Sequence, residues 1–71
     1  MQRVPVNSTN ILTIGYDRES LMLEIEFKTK RVYRYSNVPP HIYSGLMKAT
    51  SHGKYFQDYI NNVFTHVELR K

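Results

Sequence analysis

Leu21–Pro40, LMLEIEFKTKRVYRYSNVPP, is the stretch whose reading decides how this chain folds. Leu21, Leu23, Ile25 and Phe27 alternate with Met22, Glu24, Glu26 and Lys28, and a period of two marks a strand with one buried face. A polar break follows, then a second strand built on Tyr33-Arg34-Tyr35, then a stop at Pro39-Pro40. Two hairpin registers compete. A two-residue loop at Thr29-Lys30 sets Ile25 opposite Arg34 and drives an arginine into the core face. A three-residue loop, Lys28-Thr29-Lys30, sets Ile25 opposite Tyr33, Leu23 opposite Tyr35 and Glu24 opposite Arg34. This register buries both tyrosines and joins opposite charges across the outer face. It is favoured because an unpaired buried charge is costly. It demands a left-handed Lys30, where glycine would be the comfortable residue.

Working outward, an earlier strand is expected from about Thr9 to Tyr16, with Leu12, Ile14 and Tyr16 on one face. The polar run Asp17–Ser20 suits a hairpin loop and sets Tyr16 opposite Leu21, Ile14 opposite Leu23 and Leu12 opposite Ile25. Residues 1–7 read as a loose lead-in. Beyond the hairpins, Pro39 and Pro40 suit the first turn of a helix, because proline has a preset φ and lacks a donor that the turn would leave unused. That helix is expected from Pro40 to Ala49, with Ile42, Leu46 and Ala49 as its apolar stripe beside Tyr43 and Met47. Thr50 or Ser51 can cap a second helix over about Gly53–Asn61, which carries Tyr55, Phe56, Tyr59 and Ile60. The tail alternates Val63, Thr65, Val67 and Leu69 against Phe64, His66, Glu68 and Arg70, the pattern of a further strand or of a segment swapped in an oligomer. The expected fold is therefore α+β: a three-stranded antiparallel meander followed by two helices on one face, with an extra C-terminal strand as an option.

The 71 residues allow one domain, with a core over about 4–61 and a tail over 62–71. A chain of this size buries only about 60% of its unfolded surface, and such a core supplies roughly 3–5 kcal/mol net. There is no cysteine, which excludes disulfides and thiolate zinc sites and fits a reducing cytoplasm. No apolar run is long enough to span a membrane, and Met1–Pro5 has no signal core, so a cytoplasmic protein is expected. The net charge of +4 favours a polyanionic partner.

The chemistry-bearing residues argue against an enzyme, a metal or a cofactor. A hydrolytic triad needs a nucleophile, a base and an acid that converge, yet Asp58 and Glu68 are the only acids in the second half. His41, His52 and His66 lie on separate segments without metal-ligand spacing and read as surface histidines. Glu24 and Glu26 read as a solvated strand face. Six tyrosines in a basic chain invite base stacking, although Tyr16, Tyr33 and Tyr35 share the core face and read first as packing. Arg34 and Lys28 are expected to point outward, and Ile11, Met22 and Val32 would form an apolar patch on that face suited to a protein contact. The best local site is the turn between the helices. There Ser51, the backbone near Gly53, and Lys54 with Lys48 can hold a phosphate at a helix N-terminus, with Lys30 and Arg31 assisting from the hairpin tip. The alternative is a plain helix–helix turn that Ser51 caps and Gly53 packs.

Ser8, Ile11, Ile14-Gly15-Tyr16-Asp17, Phe27, Tyr33-x-Tyr35, Val38-Pro39, Tyr43, Leu46 and Ala49-x-Ser51-x-Gly53-x-Tyr55-Phe56 together resemble the KTSC domain, over about residues 4–61. That family is named for its place at the C-terminus of some lysyl-tRNA synthetases and also occurs as small bacterial and phage proteins. The chain departs from its pattern at Lys30, where glycine is usual, at Gln57, where asparagine is common, and at Phe64, where the end is often tyrosine-rich. The resemblance implies no catalytic residues and suggests RNA binding. Two readings follow: a module that binds RNA or another polyanion, and a protein-interaction or self-associating module. Neither involves a membrane.

Overall fold

The computed structural model describes residues 1–70; Lys71, the last residue of the expected tail, lies outside the described residues. Five strands, β1 (Arg3–Pro5), β2 (Ile11–Asp17), β3 (Met22–Phe27), β4 (Val32–Tyr35) and β5 (His66–Arg70), form one antiparallel sheet in chain order. Two helices, α1 (Pro40–Lys48) and α2 (His52–Tyr59), cross between β4 and β5. The α+β meander with two following helices is as expected, and the optional C-terminal strand is present as β5. The lead-in is not loose: Arg3–Pro5 pairs with Thr13–Gly15. Gly15 admits this edge strand closely, since a Cβ there would lie 2.7 Å from Arg3 Cγ.

The β3–β4 hairpin adopts the favoured register, Leu23↔Tyr35, Glu24↔Arg34 and Ile25↔Tyr33. Lys30 takes the left-handed conformation that the register demands, with φ 78°. The β2–β3 hairpin differs from the expected one. Tyr16 faces Leu23 and Ile14 faces Ile25, a shift of two residues. Leu21 is the cause. It leaves the strand with φ 59° and gives its carbonyl to Val38 N–H at 2.9 Å. Asp17 closes the same loop, accepting from Glu19 N–H at 3.1 Å and from the Ser20 hydroxyl at 2.9 Å.

A second correction concerns Leu12. A bulge between Ile11 and Thr13 makes Leu12 the extra residue. Ile11 therefore joins Ile14 in the core, both fully buried, where strict alternation placed Leu12 inside. The outer apolar patch of Ile11, Met22 and Val32 consequently does not form, because Ile11 faces the helices and Val32 is itself buried at 3% exposure.

The core lies between the sheet and the helices: Ile11, Ile14, Leu23, Ile25 and Tyr35 meet Val38, Leu46, Phe56 and Ile60. Pro39 is the N-cap of α1 and Pro40 its first residue. Tyr16 stacks on Tyr43 at 4.5 Å and 8°, which seats α1 on the sheet, and its hydroxyl donates to the Val38 carbonyl. The glycine that lets the helices approach is Gly45 rather than Gly53. A Cβ at Gly45 would lie 2.2 Å from the Tyr55 hydroxyl, whereas at Gly53 the nearest atom, Asn10 Nδ2, would be 3.6 Å away. Of the apolar residues on α2, Phe56 is buried whereas Tyr59 is 52% exposed.

Candidate functional site

The ion pairs decide which charges remain available. On the outer face of the sheet Glu24 meets Arg34 at 2.7 Å and Arg3 at 4.0 Å. Glu26 takes Arg70 and the Thr13 hydroxyl, and Arg70 leads the contacts that hold the Glu26 carboxyl below its usual range. Arg34 is thus outward and neutralised. Glu68 lies 3.8 Å from Arg31; the Tyr33 hydroxyl and then this carboxylate raise the Arg31 pKa. Lys54 is paired with Asp58 at 2.9 Å one helical turn on, which raises the lysine pKa. Among the described residues, Arg18, Lys28, Lys30 and Lys48 have no carboxylate within 4.0 Å.

Two of those free cations sit at the tip of the β3–β4 hairpin, held there by backbone geometry. Phe27 N–H donates to Arg31 at 2.9 Å and Lys30 N–H to Phe27 at 2.9 Å. Lys28 N–H donates to the Asn10 carbonyl at 2.8 Å, while the Ser8 hydroxyl accepts from Asn10 and Ile11 N–H. The tip is therefore pinned against the turn before β2, and the exposed Lys28 lines a recess there.

Three adjoining recesses run along this side. The largest, about 580 Å³, has Phe27, Tyr33, Phe56 and His66 as ring walls. Asn10, Gln57 and Asn61 supply carboxamides, and Lys28 and Arg31 supply charge. The next is polar and contains Lys28, Ser8, Thr50, Ser51 and His52. The third contains Ser51, Lys54, Tyr55 and Tyr59. Lys28 is shared by the first two and Ser51 by the last two. The hairpin-tip and helix-turn groups, separate in the sequence, thus border one continuous band.

The residues singled out from the sequence lie in this band or beside it. Ser51 is the N-cap of α2, accepting from Lys54 N–H at 3.2 Å. Gly53 lies in the first turn, and Lys48 is exposed at the end of α1. Arg31 lines the large cleft; Lys30, Lys48 and Gly53 are not among the lining residues of the three recesses. His52 turns its Nδ1 to the Leu46 carbonyl at 2.8 Å and closes the end of α1. His66 packs against Tyr33 and Tyr35 at 5.4 and 5.2 Å. Tyr35 is core at 2% exposure, while Tyr33 is half-buried on the cleft wall. No group of three or more His, Asp or Glu side chains able to hold a metal ion occurs among the described residues, and no helix is long and apolar enough to cross a membrane.

Sequence reasoning did not assign Asn10, Gln57, Asn61 or His66 to a binding site. Gln57 and Asn61 did carry a signal, since four residues apart on a helix brings side chains together. Asn61 Nδ2 donates to Gln57 Oε1 at 2.9 Å.

Comparison with known proteins bears on the whole of this arrangement. The family model for the KTSC domain matches residues 7–64. An uncharacterised protein of Stutzerimonas stutzeri is 41% identical over 64 residues, 90% of this chain and 84% of its own length. A lysine–tRNA ligase of Nostoc punctiforme is 34% identical over 59 residues, 83% of this chain but 10% of the ligase. The crystal structure of a KTSC domain protein from Yersinia pestis has a TM-score of 0.94 to this chain and 40% identity, covering 96% of both chains.

Proposed function

The chain belongs to the KTSC domain family, and from that premise we propose that it is a non-enzymatic binding module whose ligand is RNA or another polyanion. One observation carries this reading. Glu24 and Glu26 are spent on ion pairs across the outer sheet face, and the uncompensated Lys28 lines an aromatic, amide-lined cleft with Arg31, next to the uncompensated Lys30 at the hairpin tip. The band from this tip through Ser51 and Gly53 to Lys48 and Lys54 is the binding surface. The hairpin tip contributes more than Lys54, whose charge Asp58 offsets. Similarity to a segment of a ligase whose name places it on tRNA supports RNA as the polyanion.

The test is a titration of labelled single-stranded RNA at several salt concentrations. Each phosphate neutralised should lower log K by about 0.7 per decade of salt. Lys28→Glu/Lys30→Glu should abolish binding, Lys48→Glu/Lys54→Glu should weaken it, and Arg18→Glu, on the distant β2–β3 loop, should change it little. Absence of binding by the native protein at low salt rejects the reading.

A second reading, a protein-interaction module, rests on the edge strand β5, whose Val67 and Leu69 are 56% and 44% exposed beside Val63 at 61%. A sheet edge with exposed apolar side chains pairs readily with another strand. Association of that kind would change little with salt.

A further inference from the structure

We infer that the large cleft receives one unstacked nucleobase of a single strand whose phosphates lie against Lys28 and Lys30. This rests on the polyanion reading and adds to it a recognition site for the base. The volume, about 580 Å³, falls within the roughly 300–1,000 Å³ of small-molecule sites. Tyr33 is fixed as a platform by near-perpendicular contacts with Phe27 and His66, at ring-centroid distances of 5.7 and 5.4 Å. A half-buried ring held in this way offers a π-face without further ordering, and base stacking on such rings is how single strands are commonly bound.

The carboxamides supply the second half of the argument. In the Gln57–Asn61 hydrogen bond, the Asn61 amine and the Gln57 carbonyl satisfy each other. The Gln57 amine and the Asn61 carbonyl are left as a neighbouring donor and acceptor on the cleft wall. That pairing complements a base edge, which likewise presents a donor beside an acceptor. Asn10 lines the same cleft on the strand side. A polyphosphate would use the lysines and leave the rings and amides idle. A nucleic-acid strand unites all three features: negative charge, a flat ring and a hydrogen-bonding edge.

The experiment compares a short oligoadenylate with an abasic strand of equal phosphate number, both titrated into the isotope-labelled protein at one low salt concentration. The intact strand should bind more tightly by about tenfold or more. The side-chain amide signals of Asn10, Gln57 and Asn61 should shift with it and stay in place with the abasic strand. Gln57→Ala/Asn61→Ala should bring the affinity for the intact strand toward the abasic value without changing the salt dependence; if that variant fails to fold, the two strands on the native protein decide. Equal affinities with unmoved amide signals overturn the base site and leave the polyanion reading standing. Failure of both strands to bind overturns both.

Discussion

Lys30 adopts φ 78°, a left-handed conformation that costs an L side chain roughly 1–2 kcal/mol. The three-residue loop requires it, and its side chain also provides one of the unpaired charges at the tip. Stability and binding therefore pull in opposite directions at this position. Lys30→Gly should stabilise the fold by about 0.5–1 kcal/mol, once the greater freedom of unfolded glycine is set against the relief. The same change should weaken polyanion binding. A urea midpoint and an RNA titration on one variant check both signs. Tyr35 gives a second residue-scale prediction. Burial, and after it the neighbouring Tyr33, pushes its pKa up to about 12. An unfolded tyrosine titrates near 10, so the fold favours the neutral phenol. The stabilising contribution is complete below about pH 10 and is lost as pH rises through about 12, a change on the order of 2 kcal/mol. Urea midpoints across this window should fall in the native protein and fall less in Tyr35→Phe. Some decline should remain in the variant, because burial also raises Tyr16 and Tyr55.

At the scale of elements, the outer sheet face is a ladder of charges set by strand register. Glu24 lies opposite Arg34 and bonds it through both Nε and Nη2, at 3.0 and 2.7 Å, while Arg3 reaches it only at 4.0 Å. Partly exposed pairs of this kind contribute roughly 0.2–1 kcal/mol. A double-mutant cycle on Glu24 and Arg34 should give a coupling near the upper end, shrinking with salt, and a cycle on Glu24 and Arg3 should give almost none. Equal couplings would mean that register does not govern the ladder. The β4–β5 pairing extends the same logic: Arg70 lies opposite Val32 and reaches Glu26 across β4.

The whole molecule is a single sheet with helices on one side, within 28 × 27 × 23 Å. So small a core leaves no reserve. Tyr35 touches Phe56 at 5.7 Å and His66 at 5.2 Å, joining α2 and β5 to the sheet. Tyr35→Ala should cost roughly 3–5 kcal/mol, comparable to the net stability of a domain this size. Circular dichroism at 25 °C should show a largely unfolded variant; a near-native melting curve would place the ring outside the core.

What the sequence by itself determined is local or periodic. The alternation of Leu23, Ile25 and Phe27, and the penalty for burying Arg34, determined the β3–β4 register and the strained Lys30. The Pro39-Pro40 start and the Ser51 cap determined where the helices begin, because these effects act over a few bonds. Tertiary structure decided the rest. The Leu12 bulge and the two-residue shift at Leu21 arise because Val38 claims the Leu21 carbonyl and the helices need Ile11 inside; neither demand is visible within β2 and β3. Arg3–Pro5 became a strand only because Gly15 leaves room beside it. The candidate site shows the same division. Lys30, Arg31, Lys48, Ser51 and Lys54 could be picked out by charge and capping. The cleft that relates them brings together Asn10, Phe27, Tyr33, Gln57 and His66, residues drawn from five parts of the chain, and packing alone makes them neighbours.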